Sequence, residues 1–232
     1  MLALLLLNFL TSFANVWSTP YIQPAMRIGA DFVALWLVLL LLVALSGRVG
    51  PRAVRWLAVL FTLFVIGRYI EVTVPAWFGR KVNLYWDAQH LPTFLDVASQ
   101  EYAWWQLLGF VAAFVGGLWL LARLIQACIQ VLARHAAPYA LRSPAAWVVT
   151  AGLIGLVGAG LMKVEAAGPY VAAPAFPVFQ RQAHLLAAAF FPDRFRSELP
   201  ASPSLESDLQ ALRGAEVKVV FLESYGAATY ER

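Results

Sequence analysis

Five apolar runs, separated by short loops with basic and aromatic residues, constrain this chain more than any other feature. A bilayer-crossing helix needs roughly 20 consecutive, mostly apolar residues, and runs of this kind lie near residues 2–17, 28–46, 54–75, 103–123 and 146–163. The first is shorter than the others, begins at Met1 and has no Lys or Arg ahead of it. It therefore matches a secretory signal peptide poorly, and fits a short first span or a start placed slightly late. With 61% hydrophobic and 13% charged residues, the 232-residue chain carries more apolar surface than one soluble core can hide. The expected fold is an all-α polytopic membrane domain over residues 1–165, with about five transmembrane helices.

Basic residues in short loops set the direction of insertion, because they are enriched on the cytoplasmic side. Arg48, Arg52 and Arg55 share one loop, and Arg134 and Arg142, with Arg123 at a helix end, share another two spans later. Five spans then place the amino end in the cytoplasm and everything after residue 165 outside. The external loop 76–101 also carries Arg80 and Lys81, but Asp87, Asp96 and Glu101 make it a mixed surface. Trp77, Trp86, Tyr102, Trp104 and Trp105 fall near the outer boundary, where amphipathic rings favour the headgroup region. In the last span Gly152, Gly155, Gly158 and Gly160 suggest close helix packing; no strand precedes them and the setting is an apolar helix, which argues against a nucleotide-binding loop.

The net charge of +4 does not imply nucleic acid, because the seventeen basic residues are dispersed among apolar runs instead of forming one basic face. Cys128 is the only cysteine, which rules out an intrachain disulfide or a Cys-rich metal site. His90, His135 and His184 show no metal-ligand spacing.

Asp31, Arg68 and Glu71 lie inside apolar runs, where a charge costs at least ~2.5 kcal/mol and must find a partner or water. Arg68 and Glu71 are three residues apart on one helix and can meet. Helical rise places all three charges at similar depth in the outer leaflet. Two readings stand: an interhelical ion cluster that fixes packing, or an outward-facing polar pocket that receives a lipid headgroup. The adjoining loop 79–87 (GRKVNLYWD) offers Arg80 and Lys81 to a phosphate or to the headgroup layer.

Composition changes after residue 165. Pro169, Pro174 and Pro177 suggest an extended or broken segment over 166–180, and residues 181–191 suggest a short interfacial helix ended by Pro192. Polar residues with Pro200 and Pro203 read as linker, so 166–215 is taken as an extracytoplasmic juxtamembrane segment. Residues 216–232 begin differently: Val217, Val219, Val220, Phe221 and Leu222 form a short β-rich run that delivers Glu223 to its carboxyl end. That is the end of an α/β sheet at which ligands bind. A lone strand is not stable by itself, so this run reads as the start of an incomplete α/β domain.

Residues 219–226 (VVFLESYG), placed after several spans and an external linker, resemble the opening of the catalytic domain in sulfatase-like membrane transferases of the alkaline-phosphatase superfamily. That group includes lipoteichoic acid synthases and phosphoglycerol and phosphoethanolamine transferases. GRKVNLYWD is similar to the loop between spans three and four in some bacterial members. The resemblance implies a multi-pass protein of the bacterial cytoplasmic membrane, a phospholipid donor, and an envelope glycan or lipid as acceptor. It also implies a divalent metal (Mn, Mg or Zn) in the complete catalytic domain, with Glu223 as one ligand. The single Glu, where arylsulfatases open with paired aspartates, points to the headgroup-transferase branch. The family's hydroxyl nucleophile and its later Asp and His ligands have no counterpart up to Arg232, so the sequence as it stands is expected to be catalytically incomplete. An alternative of a different class is a membrane scaffold or accessory subunit without chemistry.

Overall fold

The structure, a computed structural model, describes residues 1–17, 19–191 and Gly214. The VVFLESYG run and Glu223 lie outside the described residues, as does the polar stretch before them.

Apolar content drives a mostly helical architecture. Helix α1 (Leu2–Ser12) leads through a hairpin of β1 (Ala14–Asn15) and β2 (Ile22–Gln23) to β3 (Ile28–Gly29) and α2 (Ala30–Ser46). Gly47, at φ 68°, stops α2 in the left-handed conformation that glycine adopts without a Cβ clash, and Pro51 opens α3 (Pro51–Phe78). Two short helices, α4 (Leu84–Ala88) and α5 (Leu91–Glu101), precede α6 (Trp104–Val131). A π-helical turn over Leu132–Ala136 joins α6 to α7 (Ala137–Arg142); α8 (Pro144–Leu161), β4 (Val171–Ala172) and α9 (Phe176–Phe190) complete the described chain.

Among the described residues three segments are long and apolar enough to cross a membrane: α3, the continuous rod Trp104–Arg142, and α8. Helices α1 and α2 are apolar but shorter. The expected first span over 2–17 is corrected most. Its helix holds 11 residues, about 16 Å at 1.5 Å per residue. The chain leaves helical geometry at Phe13 because residues 14–15 pair with 22–23 in the hairpin.

The core runs along α1, α2, α3 and the second half of α6, with Leu7, Leu39, Phe61, Ile125 and Ile129 almost wholly enclosed. Trp36 Nε1 donates to Thr150 Oγ1 at 3.2 Å and ties α2 to α8. One end of the bundle is built from non-helical chain. There β3 pairs in parallel with β4, Ile28 beside Val171 and Gly29 beside Ala172, so the entry to α2 is joined to the exit from α8.

Three expectations change here. The loop expected to carry Arg134 and Arg142, with Arg123 at a helix end, is helix instead: Arg123 lies within α6, Arg134 in the π-helical turn and Arg142 at the end of α7, so the rod runs unbroken to Arg142. Helix α9 starts at Phe176, not at residue 181, because Pro177 sits in its first turn, where a missing N–H costs nothing. The expected close helix packing through the α8 glycines is not found: a Cβ at Gly152, Gly155 or Gly158 would meet open space, and Gly160 approaches strand β4 instead of a helix, with a Cβ position 2.7 Å from Val171 Cβ.

Candidate functional site

Asp31, Arg68 and Glu71, the charges expected within the membrane, gather where α1 ends, α2 begins and α3 approaches its last turns. Arg68 is 7% exposed and donates through Nε (3.2 Å) and Nη2 (2.8 Å) to the Phe13 carbonyl. That carbonyl lies at the C-terminus of α1, a negative dipole end that a guanidinium complements. Asp31, in the first turn of α2 and 5% exposed, accepts the Ala175 N–H at 2.8 Å. Its carboxylate therefore sits beside the N-termini of both α2 and α9, whose unpaired N–H groups favour an anion.

Asn8 completes this junction from α1. Its Nδ2 donates to the Arg27 carbonyl and its Oδ1 accepts the Gly29 N–H, each at 2.9 Å. Gly29 is required at this point, since a Cβ there would collide with Thr11 Oγ1. The backbone thus passes close to α1 because both partners suit the approach.

Glu71 faces a different set of partners. Arg181 Nη2 donates to its Oε2 at 2.8 Å, and Lys81 Nζ lies 3.4 Å from Oε1. Arg68 and Glu71, expected to be able to meet along α3, instead hold separate partners: one secures α1, the other secures α9 and the loop after α3. Gln182 doubles the second attachment, accepting the Leu84 N–H at 2.9 Å and donating to the Val82 carbonyl at 2.8 Å. Tyr85 and Phe190 add an edge-to-face contact with ring centroids 5.6 Å apart. Gly67 lets α9 lie close, because a Cβ there would stand 2.8 Å from the Phe179 ring.

Arg80 and Asp87 close the GRKVNLYWD loop on itself through two guanidinium-to-carboxylate hydrogen bonds. Asp87 also accepts the Asn83 N–H at 2.8 Å, while Asn83 caps α4 by accepting from Trp86 N. Donation from Arg80 holds the Asp87 carboxyl below the usual carboxylate range, and the same bond raises Arg80. Lys81 and Arg80 stand at the rim, with side chains 63% and 52% exposed, whereas Asp31 and Arg68 are committed inward.

Arg181 and Gln182 were not placed in this site from the sequence. A signal for the first existed: Arg181 is the one Lys or Arg between residues 166 and 191, in a helix that must lie against apolar chain. Gln182 carries no such signal.

Two apolar recesses flank the charges. One, of about 460 Å³, lies between α2, α8 and the start of α9 and has Asp31 on its wall beside Val157, Pro174 and Phe176. The other, of about 430 Å³, is bounded by α1, α2, α7 and α8, with Phe32, Trp36 and Tyr139 among its walls. Among the described residues no three His, Cys, Asp or Glu side chains come together as a metal site. The arrangement can hold charge, fix backbone and shelter apolar chains.

Fold and site together define a helical protein with several segments able to cross a membrane. No family model, curated protein or solved structure matches the chain.

Proposed function

We propose that this chain is the membrane part of a sulfatase-like phospholipid-headgroup transferase of the phosphoglycerol or phosphoethanolamine type, residing in a bacterial cytoplasmic membrane. The observation that carries the reading is the attachment of the first family-like stretch to α9, the helix that precedes the second in sequence. The GRKVNLYWD loop is fastened through Val82, Leu84 and Tyr85 to α9, and α9 leads in sequence toward VVFLESYG. A transferase needs such a link, because a catalytic domain must be held near the headgroup layer that supplies its donor.

In this reading all five apolar helices count as crossings, α1 being the short one, with the amino end inside and α9 on the outer face. Exposed Arg80 and Lys81 meet the phosphates of the outer leaflet, and Asp31, Arg68 and Glu71 hold the frame beneath them. The divalent metal belongs with Glu223 and the rest of a complete domain; the described residues do not fit an ion. The metal would stabilise charge on the transferred phosphoryl group. The acceptor is an envelope glycan or lipid.

The test begins with the coding frame beyond Arg232, where this reading expects a hydroxyl nucleophile and further Asp and His ligands. The protein expressed to its natural stop is then incubated in vesicles with fluorescent phosphatidylglycerol or phosphatidylethanolamine and Mn²⁺. Release of labelled diacylglycerol that disappears in Glu223→Ala is expected. A stop directly after Arg232, or no release from either lipid, overturns the assignment in favour of a scaffold.

A further inference from the structure

Helix α5 has an apolar stripe that the described protein leaves exposed except at half-buried Ala98. Leu91, Phe94, Leu95 and Ala98 follow the i, i+3, i+4, i+7 spacing that places side chains on one helical face. Thr93, Asp96 and Gln100 fall on the opposite face. A stripe of this regularity normally lies against a core, yet α5 buries none of its eleven residues, and Phe94 is 66% exposed. Pro92 in its first turn and a Tyr102 N–H bonded to the Ala98 carbonyl show a helix properly started and stopped.

Its position indicates what lies against the stripe. Helix α5 sits between the end of α3 at Phe78 and the start of α6 at Trp104, two segments each able to cross a membrane. A connection this short between two consecutive crossings must stay at the membrane face where both end. Exposed rings stand on both sides of it: Trp77, Phe78 and Trp86 before, Trp104 and Trp105 after, and Tyr102 packs edge-on against Phe110 of α6. The apolar phase adjoining these rings is the acyl boundary of the bilayer. Asp96 and Glu101, with no Lys or Arg on the helix, make attraction to anionic lipid the wrong explanation and leave apolar burial as the right one.

The geometry points to α5 as a membrane-surface helix, lying in the plane of the lipid interface with Leu91, Phe94 and Leu95 sunk into the acyl boundary and Asp96 turned to water. It anchors the loop between α3 and α6 independently of the chemistry assigned to the protein. The helix also sets the height of the Arg80–Asp87 loop above the hydrocarbon, since only His90 and Gln89 separate α4 from α5.

The test uses the whole chain reconstituted in phosphatidylcholine vesicles, with a nitroxide attached at Phe94→Cys or, separately, at Asp96→Cys. Unsubstituted protein carried through the labelling accounts for the buried native Cys128. Collision with oxygen, which concentrates in lipid, is compared with collision with a neutral nickel chelate, which stays in water. An oxygen-to-nickel ratio several-fold higher at 94 than at 96 is expected. Equal, water-like ratios at both positions overturn the proposal. So does shielding of position 94 from both reagents, which would mean that a second copy or another protein segment covers the stripe.

Discussion

Helices α3 and α6 have the same length, 28 residues, and similar apolar content, yet the fold treats them differently. Helix α3 buries residues from Val54 to Thr73, carries Arg68 and Glu71, and meets α9 across Gly67. Helix α6 buries only Ile125, Cys128 and Ile129, and Gly109, Gly116 and Gly117 face open space. Its one charge, Arg123, stays local, over Trp119 at 5.8 Å and donating to Gln126. Apolarity thus earns a helix its place in the bilayer, but polar side chains decide which helix becomes the post to which other segments are tied.

Four substitution sets test that contrast. The largest effect is expected at Arg68→Ala, which strips a charged donor from the Phe13 carbonyl and should cost about 1.5–3 kcal/mol. Arg123→Ala should cost about 0.5–1 kcal/mol at an exposed cation–π contact. Thermal unfolding in detergent reads both, and equal losses would break the comparison. Next come the glycines, where the sign should differ. Gly67→Ala pushes on Phe179 and destabilises by about 1 kcal/mol. Gly116→Ala, in open space, gains helix propensity and stabilises by up to about 0.8 kcal/mol.

A smaller effect is expected from Glu71→Gln, whose ion pairs are partly exposed and so contribute below about 1 kcal/mol. Hydrogen exchange over residues 176–190 should quicken while α8 is unchanged. Arg181→Ala should act more strongly than Lys81→Ala, since the Arg181 contact is shorter and its side chain less exposed. Matching exchange in all three variants would remove Glu71 as the attachment point.

The smallest effect is local and depends on pH. The folded Asp87 carboxyl is held below its unfolded value, chiefly by donation from Arg80. Its stabilisation is complete above the unfolded value and is lost as pH falls through the folded one. Amide protection over residues 83–88 should therefore stay flat from about pH 5 to 8 and fall in acid. Asp87→Asn should lack that acid step, and an unchanged step would assign it to another group.

Much of the helical plan was legible in the sequence because apolar runs act locally. Helices α2, α3 and α8 start and stop within a few residues of the apolar runs that announce them, whereas α6 passes well beyond residue 123 and continues as helix to Arg142, where a loop was expected. The end of α1 was not legible, because hydropathy does not distinguish helix from the hairpin that residues 14–15 enter. The start of α9 was obscured for another reason. Three prolines read as breaks, yet Pro177 falls in a first helical turn and is compatible with the helix.

Hydropathy, basic-residue spacing and the charges at 31, 68 and 71 determined by sequence alone that this is a helical chain suited to a membrane, with polar groups that need partners. Which partners they took was decided only in three dimensions. Phe13 lies 55 residues from Arg68, Ala175 144 from Asp31, and Arg181 110 from Glu71. The contacts are a carbonyl, an amide and a guanidinium. Two of the three are main-chain groups that every residue possesses, so no side-chain pattern could single them out; only the meeting of α1, α2, α3 and α9 at one end of the bundle brought them within reach.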